Sequence, residues 1–247
     1  MKILLLDIET APNVAHVWGL WQQNVGINQI IDAGYVMCWA AKWYGTDEVL
    51  FDSIHRSSPK TMLRRIHKLL DQADAVIHYN GTKFDIPTLN KEFILHGLLP
   101  PTPYKQIDLL RTARGQFRFP SNKLDYIAQS LGVGSKLVNR GHQLWIDCMA
   151  RKDEAWAEME AYNIQDVAIL ERVYEKLKPW IKNHPNSGLY GEDSSVCPTC
   201  GGSHLHRRGL SRTRACVYQR FVCRDCGTWS RTTKDAVKRP AAGYIAI

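Results

Sequence analysis

Short apolar runs typical of β-strands come early in the chain, and segments with helical periodicity separate and follow them. The strand-like runs lie at residues 2–8, 35–44, 48–51 and 75–79. Apolar residues recur at helical spacing over residues 60–72, 87–96, 123–131 and 153–177. A further short apolar piece lies at residues 107–110. This order of elements predicts an α/β fold.

A polar segment rich in turn-forming residues interrupts this pattern at residues 183–195. We expect a domain boundary there, with a first domain over residues 1–182, a linker over 183–195 and a second domain over 196–247. No repeat with a period of about 20–50 residues is visible, which argues against solenoid and propeller architectures. The sequence therefore predicts one large and one small unit.

The composition is that of a globular protein with a basic carboxyl-terminal part. With 247 residues, of which 45% are hydrophobic and 23% charged, the chain can form one sizeable core, which excludes disordered and fibrous classes. The apolar run at 3–6 leads directly into acidic residues, so we expect no signal peptide, no membrane span and no membrane partner, and we predict a cytoplasmic protein. The net charge is +8, and residues 190–247 carry ten basic against four acidic side chains. This basic segment favours nucleic acid as a partner, with a merely solvated basic face as the alternative.

Four carboxylates stand out against this background. Asp7 and Glu9 are two residues apart in the first strand-like run, so both point to the same side of the strand. Asp85 follows a glycine-containing turn and taken alone would be a helix cap. Asp166 lies inside the last long helix, where Asp is a poor helix former. Each acid by itself also fits a solvent-facing or capping role, so only their combination points to a site.

Together these carboxylates suit hard divalent cations, because Mg²⁺ and Mn²⁺ prefer oxygen ligands. Two such ions about 4 Å apart clamp the attacking and leaving oxygens of a phosphodiester. Tyr162 lies four residues before Asp166 on the same helical face, where it can hold the attacking water. A phenol has a pKa of about 10, so the metal ions must do most of the activation.

Three short motifs carry these residues in a fixed order: Asp7-Ile8-Glu9-Thr10, then Asn80-Gly81-Thr82-Lys83-Phe84-Asp85, then Tyr162-Asn163-Ile164-Gln165-Asp166. In this order they resemble the three exonuclease motifs of the DEDDy 3′→5′ exonucleases, which are similar to proofreading exonucleases. The resemblance covers about residues 1–180. It implies a ribonuclease H-like fold, with a mixed sheet flanked by helices.

The resemblance also implies roles for individual residues. Two Mg²⁺ or Mn²⁺ ions would be bound by four carboxylates, namely Asp7, Glu9, Asp85 and Asp166. Tyr162 would orient the water that releases nucleoside 5′-monophosphates from a 3′ end. The Thr10 backbone, Asn80 and Phe84 would touch the terminal nucleotides.

Other residues near the motifs receive no role in the reaction. Asp108 and Asp147 fall on no motif position, and we expect them to be structural or surface groups. Trp18 and Trp21 follow the first motif, and the sequence fits both a wall of the substrate cleft and a packing role for them.

Five of the seven cysteines follow Val196, and four of them form two Cys-x-x-Cys pairs with 22 residues between the pairs. The four are Cys197, Cys200, Cys223 and Cys226. Four thiolates at this spacing suit one tetrahedral Zn²⁺, and the pattern resembles a zinc ribbon. A thioredoxin-like redox site and an iron–sulfur site are weaker alternatives. A domain this small lacks a sufficient hydrophobic core, so we expect the Zn²⁺ to be structural.

The sequence also suggests roles for the remaining cysteines and for the arginines between the two cysteine pairs. Cys38 and Cys148 are expected to be core residues, and Cys216 a spare. Five arginines lie between the two cysteine pairs and are expected to bind nucleic-acid phosphates: Arg207, Arg208, Arg212, Arg214 and Arg220. Tyr218 and Trp229 lie close enough in sequence to stack on bases. A ribbon that docks to protein is the alternative.

The leading hypothesis is a metal-dependent 3′→5′ exonuclease for single-stranded 3′ ends, with DNA favoured over RNA by family likeness and a zinc ribbon that helps hold substrate or partner. An endonuclease or junction resolvase is the nearest rival, because two-metal chemistry serves many phosphodiester cleavages. A catalytically silent nucleic-acid-binding adaptor is a third hypothesis, although none of the carboxylates is missing. Polymerase motifs are absent, so we expect a stand-alone nuclease or a subunit that acts with a polymerase or replication partner, from a bacterium or a bacterial virus.

Overall fold

A computed structural model describes residues 1–191, 193 and 195–236. Within them the chain forms two compact units, one over Lys2–Glu175 and one from Lys176 onward. The domain bounds and the linker expected from the sequence stay predictions. Positions 237–247 of the expected second domain, with Lys238 and Arg239 of the basic segment, lie outside the described residues.

The first unit is built on a mixed β-sheet. Its strands in chain order are β1 (Ile3–Thr10), β2 (Val14–Ala15), β3 (Ile30–Asp32), β4 (Val36–Trp43), β5 (Val49–Ser53), β6 (Ala75–His78) and β7 (Lys105–Asp108). Five of them form one sheet in the order β5-β4-β1-β6-β7, and β2 pairs with β3 in a separate hairpin. Strand β4 runs antiparallel to β1 and β5, whereas β1, β6 and β7 are parallel.

Helices connect and cover these strands. They are α1 (Pro59–Gln72), α2 (Asp85–Leu95), α3 (Leu109–Gln116), α4 (Leu124–Ser130), α5 (His142–Met149) and α6 (Asp153–Leu177). The strands and helices expected from periodicity are confirmed, with ends shifted by no more than about two residues. The apolar piece at 107–110 is divided between the end of β7 and the start of α3.

One face of the sheet packs on α1 and α2. Alternate residues of β1, Leu4, Leu6 and Ile8, are buried in the same cluster as residues of both helices. Helix α1 begins where the Ser58 side chain accepts a hydrogen bond from the Thr61 amide, as an N-cap does. The intervening positions of β1 face the other way, so Asp7 and Glu9 point away from this cluster.

The opposite face packs on α5 and α6. Met37 and Cys38 of β4 lie in one buried cluster with Cys148 of α5 and Trp156 and Met159 of α6. The expectation that Cys38 and Cys148 are core residues is therefore confirmed. With helices on both faces of a mixed sheet, the predicted α/β fold is confirmed.

The second unit contains a small antiparallel sheet of β8 (Leu205–Arg212), β9 (Val217–Cys223) and β10 (Trp229–Arg231), in the order β10-β9-β8. Each cysteine pair is followed by a glycine with positive φ, 75° at Gly201 and 78° at Gly227. This left-handed conformation is unfavourable for other residues and lets the backbone turn tightly after each pair. The cysteine-containing region is consistent with the expected small zinc-ribbon-like domain.

Among the helices that the structure describes, none combines the length and the apolar character that a membrane span needs.

Candidate active site and metal centres

Three predicted carboxylates meet near the carboxyl end of β1, the central strand of the main sheet. Asp7 and Glu9 project from the same side of β1, and Asp166 projects from α6. One carboxylate oxygen of each lies within 4.8 Å of the others. The β1–β4 register shifts between Glu9 and Thr10, which marks a β-bulge directly beside the acids. The fold thus brings together side chains from positions 7 and 166 of the chain.

Asp85 lies beside this cluster but outside its group of mutually close oxygens. It is the first residue of α2, and Phe84 rather than Asp85 occupies the capping position. The Asp85 side chain is buried, and its Oδ1 accepts a hydrogen bond of 3.2 Å from the Ile8 amide of β1. One of its oxygens is therefore committed to the backbone between Asp7 and Glu9, and the other is left for a ligand or for water.

Burial raises the pKa values of all four carboxyls, and repulsion by neighbouring acids adds to each shift. Desolvation, followed by the charges of Glu9, Asp85 and Asp166, raises the pKa of Asp7 well above its usual range. The pKa of Glu9 rises to about 8, and that of Asp85 to about 7, chiefly through burial. Burial also raises the pKa of Asp166, although Lys136 opposes this shift. Such a cluster is costly to ionise unless a cation neutralises it.

The donor set fits a hard divalent cation. All ligand atoms are carboxylate oxygens, which Mg²⁺ and Mn²⁺ prefer over softer ligands. The Oδ1 atom of Asp166 is buried and has no hydrogen-bond partner among the described residues. A buried oxygen in this state costs free energy unless a ligand satisfies it. Asp7, Glu9 and Asp166 are thus the residues that could hold one ion, and Asp85 is adjacent for a second.

Lys136 is a member of this site that the motifs did not reveal. It lies in the loop between α4 and α5, and its Nζ donates to Asp166 Oδ2 at 2.5 Å and to the Tyr162 hydroxyl at 3.0 Å. Burial alone would lower its pKa, but Asp166 and the hydrogen bonds raise it. A permanently charged ammonium group therefore stands beside the acids and offsets part of their repulsion.

Tyr162 lies on the same face of α6 as Asp166, at the rim of the acid cluster. Burial, and then the charge of Asp166, raises the pKa of its phenol to about 12. The group is neutral at physiological pH and serves as a hydrogen-bonding group rather than as a base. The Trp145 ring packs edge-on against the Tyr162 ring, with centroids 6.2 Å apart.

A cavity of about 530 Å³ opens next to these residues. It is lined by Thr10 at the end of β1, by Pro12 just after it, and by the loop residues Asn139 and Gly141. His142 and Trp145 of α5 and Tyr162 of α6 complete the lining. This volume lies within the range of about 300–1,000 Å³ that small-ligand sites occupy. The cavity has room for one nucleotide beside the acid cluster.

A buried amide fixes the orientation of Asp7. Asn163 is fully buried, and its Nδ2 donates a hydrogen bond of 2.6 Å to Asp7 Oδ2. The Cys38 sulfur of β4 lies 3.9 Å from Asn163 Oδ1 on the other side of the amide. Asn163 was part of the third motif, but its supporting role came only from the structure.

The expected nucleotide contacts are distributed around the cleft. Thr10 lines the cavity. Asn80 has a positive φ of 71°, and its amide donates to Asp108 Oδ1 at 3.1 Å. Phe84 is 43% exposed just before α2. Thr10 is therefore at the cavity, whereas Asn80 and Phe84 lie on the turn that leads to Asp85.

The two acids left out of the motifs have structural partners. Asp108 caps α3 by accepting hydrogen bonds from the Leu110 and Arg111 amides. Asp147 is buried and accepts from Arg140 and Lys152, at 2.9 and 2.8 Å. Both agree with the expectation that they are structural groups.

The four predicted cysteines of the second unit form one cluster. Their sulfur atoms all lie within 4.8 Å of one another, with 3.7 Å between Cys197 and Cys226 and between Cys200 and Cys223. A tetrahedral Zn²⁺ with Zn–S bonds of about 2.3 Å places its sulfur ligands about 3.8 Å apart. The cluster could hold a metal ion, and its donor set and dimensions fit Zn²⁺. Cys216 is not part of the cluster.

The predicted arginines lie on β8 and β9 and in the loop between them, and all are exposed. They are Arg207, Arg208, Arg212, Arg214 and Arg220. Arg220 stacks over the Trp229 ring at 4.9 Å, and Arg231 over the Tyr218 ring at 4.0 Å. Because Arg220 pairs with Arg231 and Val222 with Trp229, these stacked groups share one face of the sheet.

Comparison with known proteins identifies the fold family. Residues 36–178 match the model of the RNase H superfamily, a span that begins after Asp7 and Glu9. Among solved structures, 153 chains match, including the family B DNA polymerase from the hyperthermophilic archaeon Pyrobaculum calidifontis. The likeness to that polymerase has a TM-score of 0.52 and 17% sequence identity, and it covers 72% of this chain but only 24% of the polymerase.

No curated protein sequence gives a significant match. The chain spans about a quarter of the polymerase that it resembles, and at this level of identity the likeness concerns the fold. The superfamily match covers more than half of the 247 residues and agrees with the mixed sheet and the helices on both its faces. The chain belongs to the RNase H superfamily.

Proposed function

We propose that the protein is a divalent-metal-dependent nuclease, and specifically a 3′→5′ exonuclease that releases nucleoside 5′-monophosphates from single-stranded 3′ ends. One observation carries this proposal. Oxygens of Asp7, Glu9 and Asp166 converge within 4.8 Å beside a nucleotide-sized cavity, with the Tyr162 hydroxyl at its rim.

The residues of this site divide the work of hydrolysis between them. The carboxylates of Asp7, Glu9 and Asp166 would hold one Mg²⁺ or Mn²⁺ ion, and Asp85 would contribute to a second. These ions would supply activation of the attacking water and stabilisation of the departing 3′ oxygen. A water attacks the terminal phosphorus, the bond from phosphorus to the 3′ oxygen breaks, and a 5′-monophosphate leaves.

Tyr162 and Lys136 position the reacting groups. The Tyr162 hydroxyl accepts a hydrogen bond from Lys136 and keeps its own proton to donate to a water or phosphate oxygen. Because the pKa of Tyr162 is raised to about 12, it orients rather than deprotonates the water. Lys136 adds positive charge where the acid cluster would otherwise repel the phosphate.

Trp145 and Tyr162 offer a place for the terminal base. Their rings line the cavity and pack edge-on, and they would stack on the base of a 3′-terminal nucleotide. The spacing of Tyr162 and Asp166 on α6 supports an exonuclease over the endonuclease alternative.

The cysteine cluster would hold one structural Zn²⁺, and the face of the small sheet would bind the nucleic acid strand. Arginines stacked on Tyr218 and Trp229 present charge for phosphates and flat rings for bases. DNA is the favoured substrate, because the structural likeness is to a DNA polymerase. A polymerase or replication partner and a cytoplasmic location belong to the same proposal.

The test uses single-stranded DNA and RNA oligonucleotides labelled at either end, with Mg²⁺ or Mn²⁺ and with the variants Asp7→Asn and Asp166→Asn. We expect a ladder of products that retain the 5′ label, formed only with metal and lost in both variants. Asp47→Asn, an exposed acid outside the site, is the matched control and should retain full activity.

Other reaction products would support one of the alternative functions or contradict the proposed polarity. Internal fragments at early times would indicate the endonuclease, and shortening from the 5′ end would contradict the proposed polarity. Binding of nucleic acid without cleavage at any metal concentration would favour the catalytically silent adaptor.

A further inference from the structure

The hairpin of β2 and β3 exposes an unusual amount of apolar surface. At its loop, Trp18 and Trp21 are 98% and 84% exposed. Seven aliphatic side chains of the same segment are also exposed, namely Val14, Val17, Leu20, Val25, Ile27, Ile30 and Ile31. Contiguous apolar surface of this kind marks an interaction site on a soluble protein. We call residues 14–32 the tryptophan hairpin.

The tryptophan hairpin is nearly free of charge. Residues 14–32 contain no Lys or Arg, and Asp32 is the only acid among them. Its remaining polar side chains at the loop are His16, Gln22, Gln23, Asn24, Asn28 and Gln29. Indole rings and amides can stack on bases and bond to base edges, but they carry no charge that could form ion pairs with phosphates.

The hairpin begins at the wall of the active-site cavity. Pro12, which lines that cavity, is two residues before β2. The base of the hairpin is closed by hydrogen bonds of 2.9 Å from the Ala11 amide to the Tyr35 carbonyl and from the His16 amide to the Gln29 carbonyl. An extended chain spans about 3.3 Å per residue, so Trp18 lies within about 20 Å of Pro12.

We propose that the tryptophan hairpin binds single-stranded nucleic acid by stacking Trp18 and Trp21 on bases a few nucleotides before the 3′ end. This inference rests on the proposed function, because it takes the cavity as the place of the terminal nucleotide. Continuity with the cavity and the two exposed indoles favour a nucleic acid strand over a protein partner.

Binding by stacking without charge predicts two properties of the affinity. The affinity gained from the hairpin should depend on strand length, since an oligonucleotide of three residues is too short to fill the cavity and stack on both indoles. It should also depend little on salt, because the hairpin has no Lys or Arg whose binding to phosphates would release counterions. A general loss of structure would produce neither pattern.

The experiment measures binding by fluorescence anisotropy in the full chain carrying Asp166→Asn, which prevents cleavage. Labelled single-stranded DNA of 3 and 12 nucleotides is titrated with this parent and with Trp18→Ala/Trp21→Ala added. We expect the double variant to bind the 12-mer about 10- to 100-fold more weakly, with an unchanged salt slope and unchanged binding of the 3-mer. Trp18→Phe/Trp21→Phe should restore part of the loss.

A matched control is Ile94→Ala/Leu95→Ala, which truncates two similarly exposed apolar residues on α2. It should bind both oligonucleotides like the parent. Equal binding of the 12-mer by the Trp18→Ala/Trp21→Ala variant, or no binding of the 12-mer by the parent, would overturn the proposal and leave the hairpin as a surface for protein. A length-dependent loss of binding in a protein whose wild type cleaves nothing would keep this inference and refute the exonuclease.

Discussion

Single hydrogen bonds hold the acid cluster in a geometry that its own charges oppose. Asn163 donates to Asp7, and Lys136 donates to Asp166. Two of the three clustered carboxylates therefore have a hydrogen-bond partner that fixes their orientation. Groups that orient ligands in this way commonly change metal affinity about 10- to 100-fold when they are removed.

Replacing Asn163 tests this support. Asn163→Leu keeps the approximate volume but removes the amide that holds Asp7, so we expect Mn²⁺ affinity to fall about 10-fold or more. Calorimetric titration of Mn²⁺ into the full chain measures this. Gln165→Leu, two residues further along α6, should leave the affinity unchanged, and an equal loss in both variants would mean that the helix and not the amide is responsible.

The raised pKa values predict how stability changes with pH. Glu9 and Asp85, with pKa values of about 8 and about 7, keep protons in the folded protein that they lose near pH 4 when unfolded. Their contribution to stability is complete below pH 4 and is lost as the pH rises to about 8. Without Mg²⁺, the melting temperature should therefore fall across this range, and less steeply in Glu9→Gln/Asp85→Asn.

Thermal denaturation at pH 5.5 and pH 8, in buffer free of Mg²⁺ but with the Zn²⁺ retained, measures this difference. Added Mg²⁺ should raise the melting temperature more at pH 8, where protons no longer compete for the oxygens. Parallel curves for the parent and the double variant would show that these two carboxyls are ionised in the folded protein.

The sequence was sufficient to single out the carboxylates that the structure brings together, but not the groups that support them. The carboxylates were found because Asp7 and Glu9 share a strand face and Asp166 interrupts an apolar helix. Lys136 sits in a loop without periodicity, and nothing local distinguishes it from other lysines. Its role depends on the long-range contact with Tyr162 and Asp166, which only the folded chain supplies.

At the scale of elements, hydrophobic periodicity predicted the helices and strands that bury one face. It missed elements whose structure depends on pairing or packing with other segments. β1, β4 and β6 are apolar runs, and α1 and α6 have clear stripes. The sequence of β8 is rich in arginine, and it is a strand because it pairs with β9. The short helix α5 begins after Gly141 and has only a weak apolar stripe. The sequence therefore did not predict this helix or the position of Trp145 near the site.

The small sheet of the second unit should depend on its metal. Cys226→Ser removes one of four sulfur ligands, and we expect loss of bound Zn²⁺ and rapid tryptic cleavage at the arginines of β8 and β9. Zinc content and limited proteolysis measure the two effects. Cys216→Ser, between the same pairs but outside the cluster, should change neither. Retained structure after complete loss of Zn²⁺ would contradict a structural metal.

At the scale of the whole molecule, the basic side chains of the second unit should govern the salt dependence of binding. Arg208→Gln/Arg212→Gln/Arg214→Gln removes three exposed charges, and the slope of log affinity against log salt for single-stranded DNA should decrease in magnitude by about 2. Lys60→Gln/Arg64→Gln/Lys68→Gln, three exposed bases on α1, is the control. An equal change in both would indicate general charge attraction and no dedicated face.

Charge and cysteines are concentrated after residue 190, which is why the sequence predicts a small second domain. Its boundary at residues 183–195 stays a prediction, and the structure separates two compact units between residues 175 and 176, near the end of α6. Helix α6 continues across residues 175 and 176, so the sequence has no polar gap there. The turn-forming residues at 183–195 do form such a gap.

The most direct measurement compares linear and circular single-stranded DNA of the same sequence, incubated with the full chain and Mg²⁺ or Mn²⁺. An enzyme that admits only a terminal nucleotide to the cavity beside Asp7, Glu9 and Asp166 must degrade the linear strand to 5′-monophosphates and leave the circle intact. Asp166→Asn should abolish degradation of the linear strand. Cleavage of the circle at a comparable rate would contradict an exonuclease.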